Sequence, residues 1–318
     1  MHSLRLSLLL LLLFFLPPDS RTWRTNRRPK VYGEKMSYSM IDPKLRSVQR
    51  KIVTIHNRLR TKVQPPASDM LAMTWHKEAA QDAQRWASKC RLLTHDSITG
   101  RWVEDYGSCG QNIFVSTHLV PWHFAIQTWD FEKHNFTYGS SKNNLFEVGH
   151  YTQLVWAATH KVGCGFARCP LKKKAKWRKN MPAFYYNYVC NYCPIGNYVE
   201  RLGFPYKSGQ SCGRCQSSCK ANKLCTNSCQ YADLWVNCRE LNMKWNNWLC
   251  HTTNTPEGRE RYRHCRATCS CQSKIYTRIT SIKRRYSYRR RLNNSVRYRH
   301  GKRSARSRKR NVTHNGLI

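Results

Sequence analysis

Three patterns of apolar and polar positions run along this chain. Residues 6–16 are almost all Leu and Phe, with Arg5 before them and Pro17-Pro18 after. A membrane-crossing helix needs about 20 apolar residues, so this run is too short to span, and residues 1–20 read as a secretory signal peptide. Next come apolar positions three or four apart. Leu45, Val48, Ile52, Ile55 and Leu59 predict a helix, with Asp42 as its N-cap and Pro43 at its first position. Ala79, Ala83, Trp86 and Cys90 predict a second helix over 75–90. Trp122, Ile126 and Trp129 predict a third over 122–133, opened by Pro121. The third pattern is alternation, at 162–168 and 183–190, which predicts an antiparallel strand pair. Its tip is Lys172-Lys173-Lys174-Ala175-Lys176-Trp177-Arg178-Lys179, with six positive charges. Helices mixed with an antiparallel pair make an α+β sandwich the expected class.

The 318 residues are 40% hydrophobic and include 11 Trp, 17 Tyr and 10 Phe, enough for a real core, which excludes a wholly disordered chain. The 16 cysteines are unevenly placed: six lie between 90 and 193, and ten crowd the 60 residues 212–271. So dense a module is stapled rather than built on a large core. In a secreted chain the cysteines read as disulfides; elsewhere the Cys190/Cys193 and Cys212/Cys215 pairs would suggest redox or zinc chemistry. Spacing alone leaves their connectivity open. Between the two regions, 198–210 holds Gly203, Pro205 and Gly209 and reads as a hinge.

Charge changes the picture. Lys and Arg number 56 against 17 acids, a formal net charge of +39, which argues against a small-molecule metabolic enzyme and for polyanionic partners. Residues 272–318 carry 16 of these cations, 171–180 six and 21–30 five, none with an acid, leaving +12 for everything else. The 272–318 segment is expected to be a disordered basic tail, and 21–40 a basic N-terminal segment. Lys172, Lys173 and Lys174 at the tip are candidate polyanion ligands. So are Arg284, Arg285, Arg289, Arg290, Arg291, Arg308, Lys309 and Arg310 in the tail. Arg forks suit sulfate and carboxylate groups, so sulfated or sialylated glycans and anionic membranes are the expected partners. Nucleic acid would show the same electrostatics but is not expected outside the cell. Asn135, Asn293 and Asn311 head N-glycosylation motifs.

Two strings carry a family resemblance. Gly149-His150-Tyr151-Thr152-Gln153-Leu154-Val155-Trp156, followed by Gly163-Cys164-Gly165, is the first. Tyr188-Val189-Cys190-Asn191-Tyr192-Cys193-Pro194-Ile195-Gly196-Asn197-Tyr198 is the second. Both resemble the hallmark segments of the CAP superfamily. Pro65-Pro66-Ala67-Ser68-Asp69-Met70-Leu71 and Leu224-Cys225-Thr226-Asn227-Ser228-Cys229 narrow the resemblance to the cysteine-rich secretory protein (CRISP) family. It implies a CAP-type α-β-α sandwich over 41–198, a disulfide-rich hinge over 199–228 and a helical ion-channel-regulatory module over 229–271. The implied pairing in the first domain is Cys90–Cys169, Cys109–Cys193 and Cys164–Cys190. The hinge would hold Cys212–Cys219 and Cys215–Cys225, and the last module Cys229–Cys271, Cys238–Cys265 and Cys250–Cys269.

The resemblance also implies a cleft of two histidines and two glutamates that binds zinc. The matching positions are His150, Glu132 and His95, the last one residue farther from Cys90 than in the family pattern. The second glutamate is replaced by Gln111. A glutamine accepts a hydrogen bond but is neither charged nor a base, so weak zinc binding without turnover is expected. No catalytic residue is assigned. In the last module the family fold resembles potassium-channel toxins that present a basic residue beside an aromatic one. Lys244, Trp245 and Trp248 match that description, and the competing reading makes the two tryptophans the module's core. Family members of the male tract are thought to use the stretch matching 188–198 at the egg surface. The resulting expectation is a secreted, non-enzymatic CRISP-like regulator of an ion channel or a gamete or cell surface, anchored by its basic tail. Alternatives are a matrix or egg- or sperm-coat polyanion-binding protein and, against the loss of a carboxylate at Gln111, a zinc-dependent CAP-type protease.

Overall fold

A computed structural model describes residues 36–171 and 183–277. The signal-peptide segment, most of the basic N-terminal segment, the Lys172–Lys174 cluster and the tail from 278 onward lie outside the described residues. With the tail go Arg284, Arg285, Arg289, Arg290, Arg291, Arg308, Lys309, Arg310, Asn293 and Asn311.

Two long strands organise the first domain: β5 (Lys161–Pro170) and β6 (Phe184–Cys193), antiparallel with Cys164 opposite Cys190. β4 (Gly110–Ser116) pairs antiparallel with the other edge of β6, and the short β1 (Thr74–Trp75) runs parallel to β5, giving the order β1-β5-β6-β4. A separate small ribbon joins β2 (Trp102–Val103) to β3 (Gly107–Ser108).

Alternation along β6 divides the domain into three layers. Tyr188, Cys190 and Tyr192 face the core formed with α1 (Arg46–Arg60), α3 (Trp122–Phe131) and α4 (Leu145–Leu154). Val189 and Cys193 face α2 (Lys77–Ser88) on the opposite side, through Ala79, Ala83 and Ala87. Asn187 and Asn191 point the same way and donate to the Ala87 and Ala79 carbonyls at 3.2 and 3.4 Å. A row of alanines lets α2 lie close to the sheet, and glycine completes the fit. A Cβ at Gly163 or Gly165 would run into the backbone of Ala79–Ala80 or of Gln84.

The start of α1 differs from expectation. Helix begins at Arg46, and Asp42 instead accepts from the Lys44 N–H at 2.9 Å inside a turn that precedes it. Leu45 is accordingly exposed, and the buried face is Val48, Ile52, His56, Leu59 and Arg60. Two elements had no sequence signal strong enough to mark them. Glycine interrupts α4 at 149, and β4 is a mixed polar and apolar strand.

Beyond the first domain the chain forms a hinge ribbon of β7 (Cys219–Lys220) and β8 (Leu224–Cys225). Three short helices follow, α5 (Cys238–Asn246), α6 (Pro256–His264) and α7 (Arg266–Ser270), with a π-helical turn at Asn247–His251. The expected tail boundary at 272 shifts. Ile275 bridges to Ser228, its N–H donating to the Asn227 carbonyl at 2.9 Å, and Thr277 is buried. All 16 cysteines are bonded, in the eight pairs that the family resemblance implies. Among the described residues no helix is long and apolar enough to cross a membrane.

Candidate metal centre and exposed aromatic surface

His150 is carried by α4, and Glu132 lies in the 3-10 turn that continues α3. The Glu132 carboxylate does two jobs at once. Oε1 is 2.5 Å from His150 Nδ1, while Oε2 accepts the backbone N–H groups of His150 and Tyr151 at 2.8 and 3.1 Å. Trp129 stacks beside the imidazole, the ring planes within 16°. These contacts fix the ring with Nδ1 toward the carboxylate and leave Nε2 without a hydrogen bond among the described residues.

His95 comes from the loop after α2 and repeats the arrangement with a neutral partner. Its Nδ1 donates to Gln111 Oε1 at 2.9 Å, and the same oxygen accepts the Asp96 N–H at 3.0 Å. Gln111 Nε2 donates to Asn191 Oδ1 at 3.0 Å, across the β4–β6 register that sets the two residues opposite each other. Partial burial pulls His95 below the usual imidazole pKa, against the raising effect of the Gln111 hydrogen bond, and Arg101 and His150 push the same way as burial. The structure therefore brings His95, Gln111, Glu132 and His150 into one constellation, with no hydrogen bond to either Nε2 among the described residues.

That donor set fits a zinc ion held by two imidazoles, each oriented from behind through Nδ1. It supplies one carboxylate, not two. Elsewhere, Cys212, Cys215 and Cys225 bring three sulfurs together, but all three are in disulfides and offer no thiolate to a metal.

In the last module the tryptophans are not the core. Leu249, Cys238, Cys250 and Cys265 fill it, with Trp235 and Leu241 packed against them. Trp245 and Trp248 are 55% and 43% exposed. Trp245 has non-helical backbone angles that kink α5, and its ring meets Trp248 edge-on at 6.4 Å. Lys244 Nζ lies 5.7 Å from the Trp245 ring centre, and Arg261, which the sequence did not single out, lies 4.2 Å over Trp248.

Within residues 188–198, Tyr188, Val189, Cys190, Tyr192 and Cys193 are buried, so the aromatic character of that stretch serves the sheet. Asn135 is exposed, as a glycosylation acceptor must be.

Sequence reasoning also missed Arg60, which is 1% exposed. Its guanidinium donates to the carbonyls of Leu71, Leu154, Trp156, Ala157 and Thr159 at 2.7–3.1 Å. The available signal was a cation on the apolar stripe of α1, beside Leu59.

A three-layer α-β-α domain with a paired-histidine cleft, followed by a disulfide-stapled module, defines a CAP-type secretory protein. A family model described as "Cysteine-rich secretory protein family", CAP, matches residues 53–192, and one described as "Crisp" matches 212–276. Human cysteine-rich secretory protein 2 is 44% identical over 230 residues, covering 72% of this chain and 86% of that protein. The guinea pig (Cavia porcellus) protein of the same name is 40% identical over 245 residues, 77% of this chain and 91% of its own. The chain belongs to the cysteine-rich secretory protein family. Among solved structures, zinc-bound NaASP2 is similar at 26% identity, with a TM-score of 0.45 over 57% of this chain and 96% of that one.

Proposed function

We propose that this protein is a secreted, non-enzymatic regulator that acts on a cation channel or another cell- or gamete-surface protein through its C-terminal module. The observation that carries this reading is the Trp245–Trp248 pair. Both rings are about half exposed, each has a cation against it, and neither belongs to the module's core cluster. Large exposed aromatics beside cations match what a channel mouth recognises: the ring seals and the ammonium competes with permeant ions. Eight disulfides and relatives named as secretory support an extracellular site of action.

Zinc belongs to this reading as a bound ligand. His95 and His150 would hold it through Nε2, with Gln111 and Glu132 orienting them, and the metal would supply Lewis acidity in the cleft. Gln111 cannot take up a proton, so acid–base work with two carboxylates has only Glu132 to draw on, which favours binding over turnover. The basic segments at 21–30, 171–180 and 278–318 would anchor the protein to sulfated or sialylated glycans.

The test is whole-cell recording of calcium and potassium currents with the full chain and its Trp245→Ala, Trp248→Ala and Lys244→Ala variants. Block by the wild type that weakens tenfold or more in the variants is expected. Equal potency of all four proteins would refute the assignment to this surface.

A further inference from the structure

A cavity of about 280 Å³ opens where the first domain, the hinge and the chain after Cys271 meet. Arg201, Lys207, Arg214 and Lys274 line it, with Asp69 as its one acid, so its wall carries a net +3. Among the described residues Arg201, Arg214 and Lys274 have no ion pair. Asp69 is buried and already occupied, Oδ1 accepting the Lys207 N–H at 2.9 Å. The charges of Lys207, Arg214 and Arg201 all favour the ionised form of that carboxyl, against the raising effect of its burial.

Each side of the cavity is fixed. Arg201 lies 5.7 Å over the buried Trp156 ring, and the Arg214 N–H donates to the Ser68 carbonyl at 3.0 Å. Lys274 precedes Ile275, which is bonded to Asn227 of the hinge and to Cys229 at the start of the last module. Thr277 then buries a hydroxyl in the wall that has no hydrogen-bond partner among the described residues. A buried hydroxyl without a partner costs about 1–3 kcal/mol, so such a group usually marks a place where something else completes the bond. The sequence after Thr277 adds fifteen more Lys and Arg and no acid.

We infer that this cavity is a binding site for a sulfate-bearing saccharide, one sulfate ester seating among Arg201, Arg214 and Lys274 with the Thr277 hydroxyl as a further donor. Two guanidinium forks suit a tetrahedral oxyanion. The remaining volume admits the sugar ring that carries it. The inference rests on the polyanion reading above and sharpens it, because the tail alone would bind by charge density, whereas the cavity binds one group at a fixed place.

The experiment is calorimetric titration of the full chain with a sulfated heparin disaccharide, too short to depend on the tail. One-to-one binding is expected. Arg201→Gln with Arg214→Gln should weaken it more than tenfold. Thr277→Val, which removes only an unpartnered hydroxyl, should weaken it threefold or more while leaving the melting temperature unchanged or raised. A full-length variant with Arg289, Arg290 and Arg291 changed to Gln should bind the disaccharide as the wild type does, while eluting earlier from heparin. If the double variant fails to fold, Thr277→Val decides: unchanged affinity overturns the site. Disaccharide binding lost only in the tail variant would refute the cavity and leave the tail as the anchor. Equal competition by inorganic phosphate would overturn the saccharide part of the assignment.

Discussion

Substituting Gln111 by Glu places a charge where the cleft now has a neutral amide. In the structure Oε1 of Gln111 is 2.9 Å from His95 Nδ1, so one carboxylate oxygen of the variant would take over that contact. Zinc takes the neutral imidazole, and a carboxylate behind it fixes the ring's tautomer and raises its basicity, which strengthens the bond to the metal. His95 is only partly buried, so water screens part of that charge and a gain of about tenfold is expected. That agrees with the roughly 10–100-fold lost when a carboxylate behind a metal-binding histidine is removed. The change has an opposing cost. Gln111 Nε2 donates to the fully buried Asn191 Oδ1, and a second carboxylate oxygen there would face that oxygen at 3.0 Å with no proton between them. Losing that bond should cost about 1–3 kcal/mol of stability. Gln111→Glu is therefore expected to tighten zinc about tenfold by calorimetry while lowering the denaturation midpoint. His150→Ala should abolish the heat of binding in both backgrounds. Equal zinc affinity of wild type and Gln111→Glu, with both still losing it in His150→Ala, would refute the role given to the missing carboxylate.

Other outcomes follow from groups that the fold buries. Arg60→Met takes a donor from five backbone carbonyls, of which Trp156 and Ala157 keep a backbone N–H, and a loss of about 3–5 kcal/mol is expected in urea denaturation; a loss under 1 kcal/mol would show that water replaces the guanidinium. Gly165→Ala should prevent α2 from seating on β5 and lower the melting temperature sharply, whereas Gly213→Ala, which meets the Gln210 carbonyl oxygen at 3.0 Å and the Ser68 Cβ at 3.7 Å, should lower it far less. Burial holds His56 and His160 down to about 4, from 6.5. Their folded values lie below the unfolded one, so the unfolded chain binds more protons between about pH 6.5 and 4. Stability should thus be full above pH 6.5, fall on acidification through that window by on the order of 3 kcal/mol for each histidine, and level off below it. Asp69 and Asp233, whose carboxyls burial raises, bend the curve the opposite way near its acid end. A thermal midpoint unchanged between pH 7.5 and 4.5 would contradict this account of the two histidines.

Much of the site was legible residue by residue, because its histidines sit in strings whose types recur in the family. His150 and Glu132 could be placed together that way, as could the substitution at Gln111. What Gln111 does was not legible, since its partner Asn191 lies 80 residues away and meets it only through strand register. Arg261 escaped notice for the same reason: its place over Trp248 depends on how α6 folds back.

Sequence alone determined the periodic elements, the clustering of ten cysteines after residue 211 and the concentration of charge in three segments. These are properties of neighbours along the chain, set by period, composition and local sterics. Tertiary structure decided which groups lost water. It put Arg60 inside under five carbonyls and left Trp245 and Trp248 outside, the reverse of what polarity suggests. It also gathered Arg201, Arg214 and Lys274 around one cavity. Burial and long-range proximity depend on how the layers close, and no local pattern carries that information.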